Sequence, residues 1–150
     1  KLINNNKKIK KKKRIEKGII AKRDNQVIGY LLAMTKEARN DIPILITMFN
    51  IFDDVTYDSK KIAEYKYLVV GQVCIAKKWR GRGILDDCYL AYKKYFSDKY
   101  DFAITEIHNT NKRSINAHIR IGFKSIHTYE DGNGDVWEFV LWDWRSDAEK

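Results

Sequence analysis

Two hydrophobic periodicities share this chain. Ile19–Arg23 and Val27–Met34 are apolar, β-branched runs, and the turn-prone Asp24-Asn25-Gln26 between them predicts a hairpin. Tyr67–Ala76 reads as a third, buried strand by its β-branched content. The pattern then changes: Ile84, Cys88, Ala91, Tyr92 and Tyr95 recur at helical spacing, so Arg80-Gly81-Arg82-Gly83 sits where a strand hands over to a helix start. A second helix is predicted from Ile115, His118 and Ile119, with Asn111 as cap and Gly122 as stop. Near the end, Trp137, Phe139 and Leu141 alternate with Glu138, as a strand with one buried side requires, and Asp131-Gly132-Asn133-Gly134-Asp135 makes the turn before it.

The stretch from Thr35 to Tyr65 is far longer than a simple connection between strands, and such segments tend to be functional or mobile. Asp41 is a candidate cap and Pro43 a candidate first residue of a helix. Ile44, Leu45, Ile46, Met48, Phe49, Ile51 and Phe52 leave that helix little polar surface, so it needs a partner surface: the core, an acceptor pocket, or a second subunit.

Composition bounds the answer without naming a function. At 150 residues the chain is long enough for a single core over 1–150, burying about two-thirds of the unfolded surface. Ile42–Phe49, the longest nearly apolar run, is far short of the roughly 20 residues a membrane helix needs, so no membrane partner is expected. Cys74 and Cys88 are the only cysteines; they suit a reducing cytoplasm, offer no metal spacing, and are expected to be buried and unreactive. The net charge of +9 is local: Lys1–Arg23 holds eleven Lys or Arg against Glu16 alone, and the remainder is close to neutral. Lys7–Arg14 reads as a basic arm for phosphate-rich surfaces or as a solvated helix face. No aromatics interleave it for base stacking, so nucleic acid is not the expected partner.

Chemistry concentrates at the strand-to-helix turn. Amides at a helix start point outward unpaired, and the helix dipole favours an anion there. Gly81 and Gly83 can take positive φ and let a phosphate approach the backbone, with Arg80, Arg82, Lys77 and Lys78 adding charge. From the residues alone, an ordinary basic surface loop remains open.

Read with Asn111–Phe123, the turn resembles the GNAT superfamily of acyl-CoA N-acyltransferases. That family's first motif runs Arg or Gln, two residues, Gly, one residue, Gly or Ala. Arg80-Gly81-Arg82-Gly83-Ile84-Leu85 follows it except at Leu85. In the second motif an aromatic acid stands four residues before Gly-Phe, and His118 holds the place where tyrosine is more usual. The resemblance covers roughly Gly18 to Trp144. It implies an α/β fold: a mixed, mostly antiparallel central sheet flanked by helices, with the cofactor cleft between two central parallel strands. Asp101–Ile107 is then the strand beside the cofactor strand, and Phe123–Tyr129 with Val136–Trp142 close the sheet. Family members begin with a strand and one or two helices before the hairpin, so that strand is expected to be missing here and 1–17 to be a basic helical tail, with a shortened fold as the alternative.

The implied activity is direct transfer of an acetyl group from acetyl-CoA to a primary amine of a small-molecule or peptide acceptor, without a metal. Cofactor contacts are expected from Val73, Cys74 and Ile75, from Arg80 to Leu85 (Arg80, Gly81, Arg82, Gly83, Ile84 and Leu85), and from Asn111 and Ser114, with capping as the alternative for Asn111. An attacking amine with a pKa of about 10.4 must first lose a proton, and Glu106 is the candidate base. His118, titrating near 6.5, is the candidate proton donor to the leaving thiolate; a packed helix histidine and a surface carboxylate are the plainer readings of the two. Gln72 is the candidate acceptor-orienting residue. Asp86 and Asp87 are expected to point away from the phosphates, which they would repel. The 36–65 insertion is placed on the acceptor side, and Ile42–Phe52 with Trp137, Trp142 and Trp144 are candidate homodimer surfaces. Two rivals stay open: a non-catalytic acyl-CoA-binding module, suggested by Leu85 and the missing tyrosine, and a nucleic-acid-binding protein led by the lysine arm.

Overall fold

The fold is taken from a computed structural model, which describes residues 2–3 and 16–146. In chain order the strands are β1 (Leu2–Ile3), β2 (Ile19–Arg23), β3 (Gln26–Met34), β4 (Thr56–Tyr57), β5 (Lys60–Lys61), β6 (Tyr67–Ile75), β7 (Phe102–His108), β8 (Lys124–Glu130) and β9 (Val136–Asp143). The helices are α1 (Ile46–Asp54), α2 (Ile84–Phe96) and α3 (Lys112–Ile121). All strands except the β4–β5 ribbon join one sheet in the order β1-β2-β3-β6-β7-β9-β8, and only β6 and β7 run parallel. This is the mixed, mostly antiparallel α/β architecture that the family resemblance implies. Asp24 and Asn25 both take positive φ in the β2–β3 turn, as a two-residue hairpin requires.

The sheet is covered on both faces. On one, Tyr89, Tyr92 and Phe96 of α2 and Ile115 of α3 pack against Leu31, Leu68, Val70, Ala103 and Val140. On the other, Met48, Phe49 and Phe52 of α1 pack against Val69, Ile104, Phe139 and Leu141, with the Phe52 and Phe139 rings 4.4 Å apart. Strand β9 therefore has two buried sides rather than one: Val140 and Trp142 face the α2–α3 layer while Phe139 and Leu141 face α1. Part of the apolar set expected at a dimer surface is packed in this way, while Ile46 stays 43% exposed. Phe49, Phe52 and Trp142 are buried in the protomer.

Several local expectations change. Asp41 does not cap α1; it closes the 3-10 turn Lys36–Asn40, and a second 3-10 turn, Pro43–Leu45, leads into the helix. Leu2 and Ile3 are paired to β2, and residues 16–18 carry no helix, so these parts of the N-terminal segment are not helical; residues 4–15, with the lysine arm, lie outside the described residues. Cys88 is buried as expected, whereas Cys74 is exposed. The inserted segment is clamped to the sheet by Arg145, which bonds Asp143 at 2.8 Å and Asp58 at 3.0 Å between the rings of Tyr57 and Tyr65. Burial opposes charging Asp143, but the Arg145 bonds outweigh it and hold the carboxyl below its usual pKa.

One irregularity creates the site. Strands β6 and β7 pair only from Tyr67–Phe102 to Val69–Ile104 and then part. Beyond that point β6 carries a bulge against β3: Leu32 pairs Gln72 and Ala33 pairs Val70, leaving Gly71 as the extra residue. A bulge bends its strand and sharpens the twist, which carries the end of β6 away from β7. A β-carbon at Gly71 would sit 2.7–2.9 Å from the Met34 side chain, so a larger residue there requires that side chain to move. At the crotch of the fork the Thr105 hydroxyl donates to the Val70 carbonyl at 2.9 Å, replacing the backbone pairing that stops there.

Candidate functional site

A cleft of about 810 Å³ opens on the α2–α3 side of the fork, bounded by the end of β6, the turn before α2, and α3. Of the residues singled out from sequence, Val73, Cys74 and Ile75 form its strand wall. Arg80, Gly81, Gly83, Ile84 and Leu85 form the turn side. Asn111, Ser114 and His118 lie on α3. Arg82, Gln72 and Glu106 are not in the lining. Arg82 lies instead over the Trp79 ring at 5.1 Å.

The turn has the geometry an anion needs. Gly81 and Gly83 take φ of 73° and 75°, and a β-carbon at either would meet nothing within 4 Å. Gly83 is the N-cap of α2, and no side chain caps that helix. The first-turn amides of α2 are therefore open to an external acceptor. Helix α3 differs: the Asn111 side chain accepts from the Ser114 amide at 3.1 Å, so capping is the role its geometry displays. Arg80 is less mobile than expected, since its Nε donates to the Ile75 carbonyl at 2.8 Å.

His118 departs furthest from the sequence reading. It is 1% exposed. Its Nδ1 lies 2.8 Å from the Ser114 carbonyl, which can only accept, so Nδ1 carries the proton. Nε2 is then the acceptor for the Tyr89 hydroxyl at 2.6 Å. Burial lowers the His118 pKa, partly offset by the Ser114 bond, and burial raises that of Tyr89. A protonated fraction at neutral pH is thus disfavoured, and both ring nitrogens are engaged within the protein.

Glu106 lies on the other face of the sheet. It follows Phe102 and Ile104 in the alternation of β7, and both of those pack toward α1. Tyr129 Oη donates to its carboxylate at 2.6 Å. Desolvation raises the Glu106 pKa, and the Tyr129 bond works against that rise. Because Val73 and Ile75 pack toward α2, Gln72 and Cys74 alternate onto the face of Glu106. The two candidate catalytic residues thus lie on opposite faces of the sheet.

Sequence reasoning missed Trp79, Asp86, Arg113, Ala117 and Arg120, all in the lining. Asp86 was expected to point away; it faces the cleft, and Arg120 grips it at 2.8 and 3.0 Å. Helical spacing held a signal for three of them, since Arg113, Ala117 and Arg120 share one face of α3.

This fold is that of the GNAT acetyltransferases, and solved structures of that kind superpose on most of the chain. The ribosomal-protein-S18-alanine N-acetyltransferase from Escherichia coli superposes with a TM-score of 0.61 at 8% identity, over 93% of this chain and 76% of that one. A candidate streptothricin acetyltransferase of Bacillus anthracis, solved with acetyl coenzyme A, gives 0.62 at 14% identity, over 88% of this chain and 64% of that one. Arabidopsis thaliana NAA60 with a bisubstrate analogue gives 0.59 at 14% identity, over 87% and 75%. No protein-family model matches the sequence, and neither does any curated protein. No helix among the described residues is long and apolar enough to cross a membrane.

Proposed function

We propose that this protein transfers an acetyl group from acetyl-CoA to a primary amine. The observation that carries the reading is the open α2 start: two positive-φ glycines and uncapped first-turn amides at the mouth of a cleft where two parallel strands part. The residues present fit the co-substrate. Gly81, Gly83 and the α2 amides would hold its diphosphate, and the β7-facing edge of Val73–Ile75, unpaired beyond the fork, would run beside its pantetheine arm. When bound, acetyl-CoA supplies an activated acyl carbonyl.

The chain's own residues then divide the work. The amine enters from the Glu106 face, where Gln72 orients it. Glu106, with its pKa raised by desolvation, is a stronger base than an ordinary carboxylate and would accept a proton from the ammonium. Amides of Val73–Ile75 would stabilise charge developing on the carbonyl oxygen. The experiment is acetyl transfer to a panel of amines spanning peptide N-termini, lysine peptides and amino-sugar antibiotics. Binding of acetyl-CoA without turnover on any member would support the second reading, a non-catalytic acyl-CoA-binding module, which the engaged nitrogens of His118 favour.

A further inference from the structure

The cleft contains a contradiction in charge. A single carboxylate, Asp86, faces it from the first turn of α2, beside the amides that make the anion site. The helix dipole favours an acid and a phosphate alike there, but the two like charges repel one another directly. It is held by Arg120, which reaches from the far end of α3 and contacts both carboxylate oxygens. Arg120 also lines the cleft and stays well exposed, with 61% of its side chain accessible. Arg113 lies about two turns back on the same face, roughly 10 Å away along the axis, with the small Ala117 between them. Among the described residues no ion pair engages Arg113.

We propose that Asp86 and Arg120 set the phosphate affinity of this cleft: Asp86 is a resident counter-anion, and an incoming phosphate takes over the Arg120 guanidinium from it. The inference rests on the acyl-CoA reading and adds to it two residues that the motif does not contain. The exchange is chemically matched, because a guanidinium fork binds a phosphate as it binds a carboxylate, through two parallel N–H donors. Asp86 thereby keeps Arg120 oriented over the α2 start in the free protein, at the cost of a like charge beside the ligand. The phosphate concerned is either the diphosphate or the 3′-phosphate of coenzyme A.

Calorimetric titration of coenzyme A and of dephospho-coenzyme A into the wild type, Asp86→Asn, Arg120→Gln and the double variant tests this. Asp86→Asn is expected to bind several-fold more tightly, which a purely structural carboxylate would not produce. Arg120→Gln is expected to bind roughly tenfold more weakly, in the range of one charge-assisted hydrogen bond. That loss should persist in the Asp86→Asn background, where shielding of Asp86 is no longer at issue. Equal losses with both ligands place Arg120 on the diphosphate, and a loss confined to coenzyme A places it on the 3′-phosphate; either supports the exchange. A loss that disappears in the double variant, or an Asp86→Asn protein that binds no more tightly, overturns it. A wild type that binds neither ligand overturns the acyl-CoA reading along with it.

Discussion

Gly83→Val separates the ligand role of the α2 start from its structural role. Gly83 has φ 75° and ψ 0°, and a β-carbon would meet nothing within 4 Å, so the branch point of the new side chain stands in open space. It does place a side chain in left-handed backbone, which costs about 1–2 kcal/mol. For a chain of this size each kcal/mol moves Tm by about 2–4 °C, so the ligand-free variant should melt about 2–8 °C lower. A ligand at a hundred times its Kd stabilises the folded state by about 2.7 kcal/mol, or about 5–11 °C here. The valine methyls project into the open space the diphosphate would occupy, so this second shift should vanish. Differential scanning fluorimetry with acetyl-CoA up to millimolar concentration reads both quantities. Gly134→Val is the control: its φ of 84° imposes comparable strain in the β8–β9 turn, outside the cleft, and the ligand shift should survive. A Gly83→Val protein that keeps the full wild-type shift would refute the proposed phosphate seat.

Four other outcomes follow from the same geometry. His118→Ala removes a buried ring and strands the Tyr89 hydroxyl, so urea denaturation should show a loss of about 2–4 kcal/mol; an intact stability with abolished turnover would return His118 to the chemistry. Because the folded state depresses the His118 pKa below 6.5, the unfolded chain binds the extra proton first; its contribution to stability is therefore present above pH 6.5 and lost as pH falls toward the folded pKa. His118→Gln should flatten that part of a stability-against-pH curve, and an unchanged slope there would contradict the burial argument. Tyr129→Phe removes the one bond that lowers the Glu106 pKa, so the acid limb of kcat/KM should move to higher pH, whereas an unmoved limb would take Glu106 out of the base role. Arg145→Met leaves Asp143 largely buried without its cation and should cost about 2–4 kcal/mol in thermal or urea unfolding; a loss under about 1 kcal/mol would show that the clamp holds nothing.

What the sequence disclosed follows the range of the interactions involved. The β2–β3 hairpin, the strand Tyr67–Ile75, the α2 start and the Asn111 cap are written in contiguous residues, and each stands within a residue or two of its expected place. The fork was implied only by resemblance, because it depends on a bulge whose register pairs β6 with β3, some forty residues earlier in the chain. Leu85, the departure from the motif, is the second residue of α2; it is partly buried against the core and lines the cleft. Asp86 was misplaced for another reason. Its charge predicts repulsion from a phosphate at the same helix start, while in the fold its carboxylate is engaged by Arg120, thirty-four positions away and on a different helix.

The same distinction bears on the proton that a leaving group would need. Position 118 was read as a donor because an imidazole titrates near neutrality, a property of the free side chain. Inside the protein, burial works on both members of the Tyr89–His118 pair in opposite senses, lowering the imidazole and raising the phenol. Both shifts keep the proton on Tyr89, so the 2.6 Å contact is a bond between neutral groups rather than an ion pair. Donating a proton from Nδ1 would break the bond to the Ser114 carbonyl, and passing one through from Tyr89 would leave a phenolate among the rings of Phe123 and Trp142. Each route creates an unsatisfied or charged buried group, whereas the resting arrangement satisfies every one of them. In the resting fold the pair therefore ties α2 to α3 beside the cleft that His118 lines.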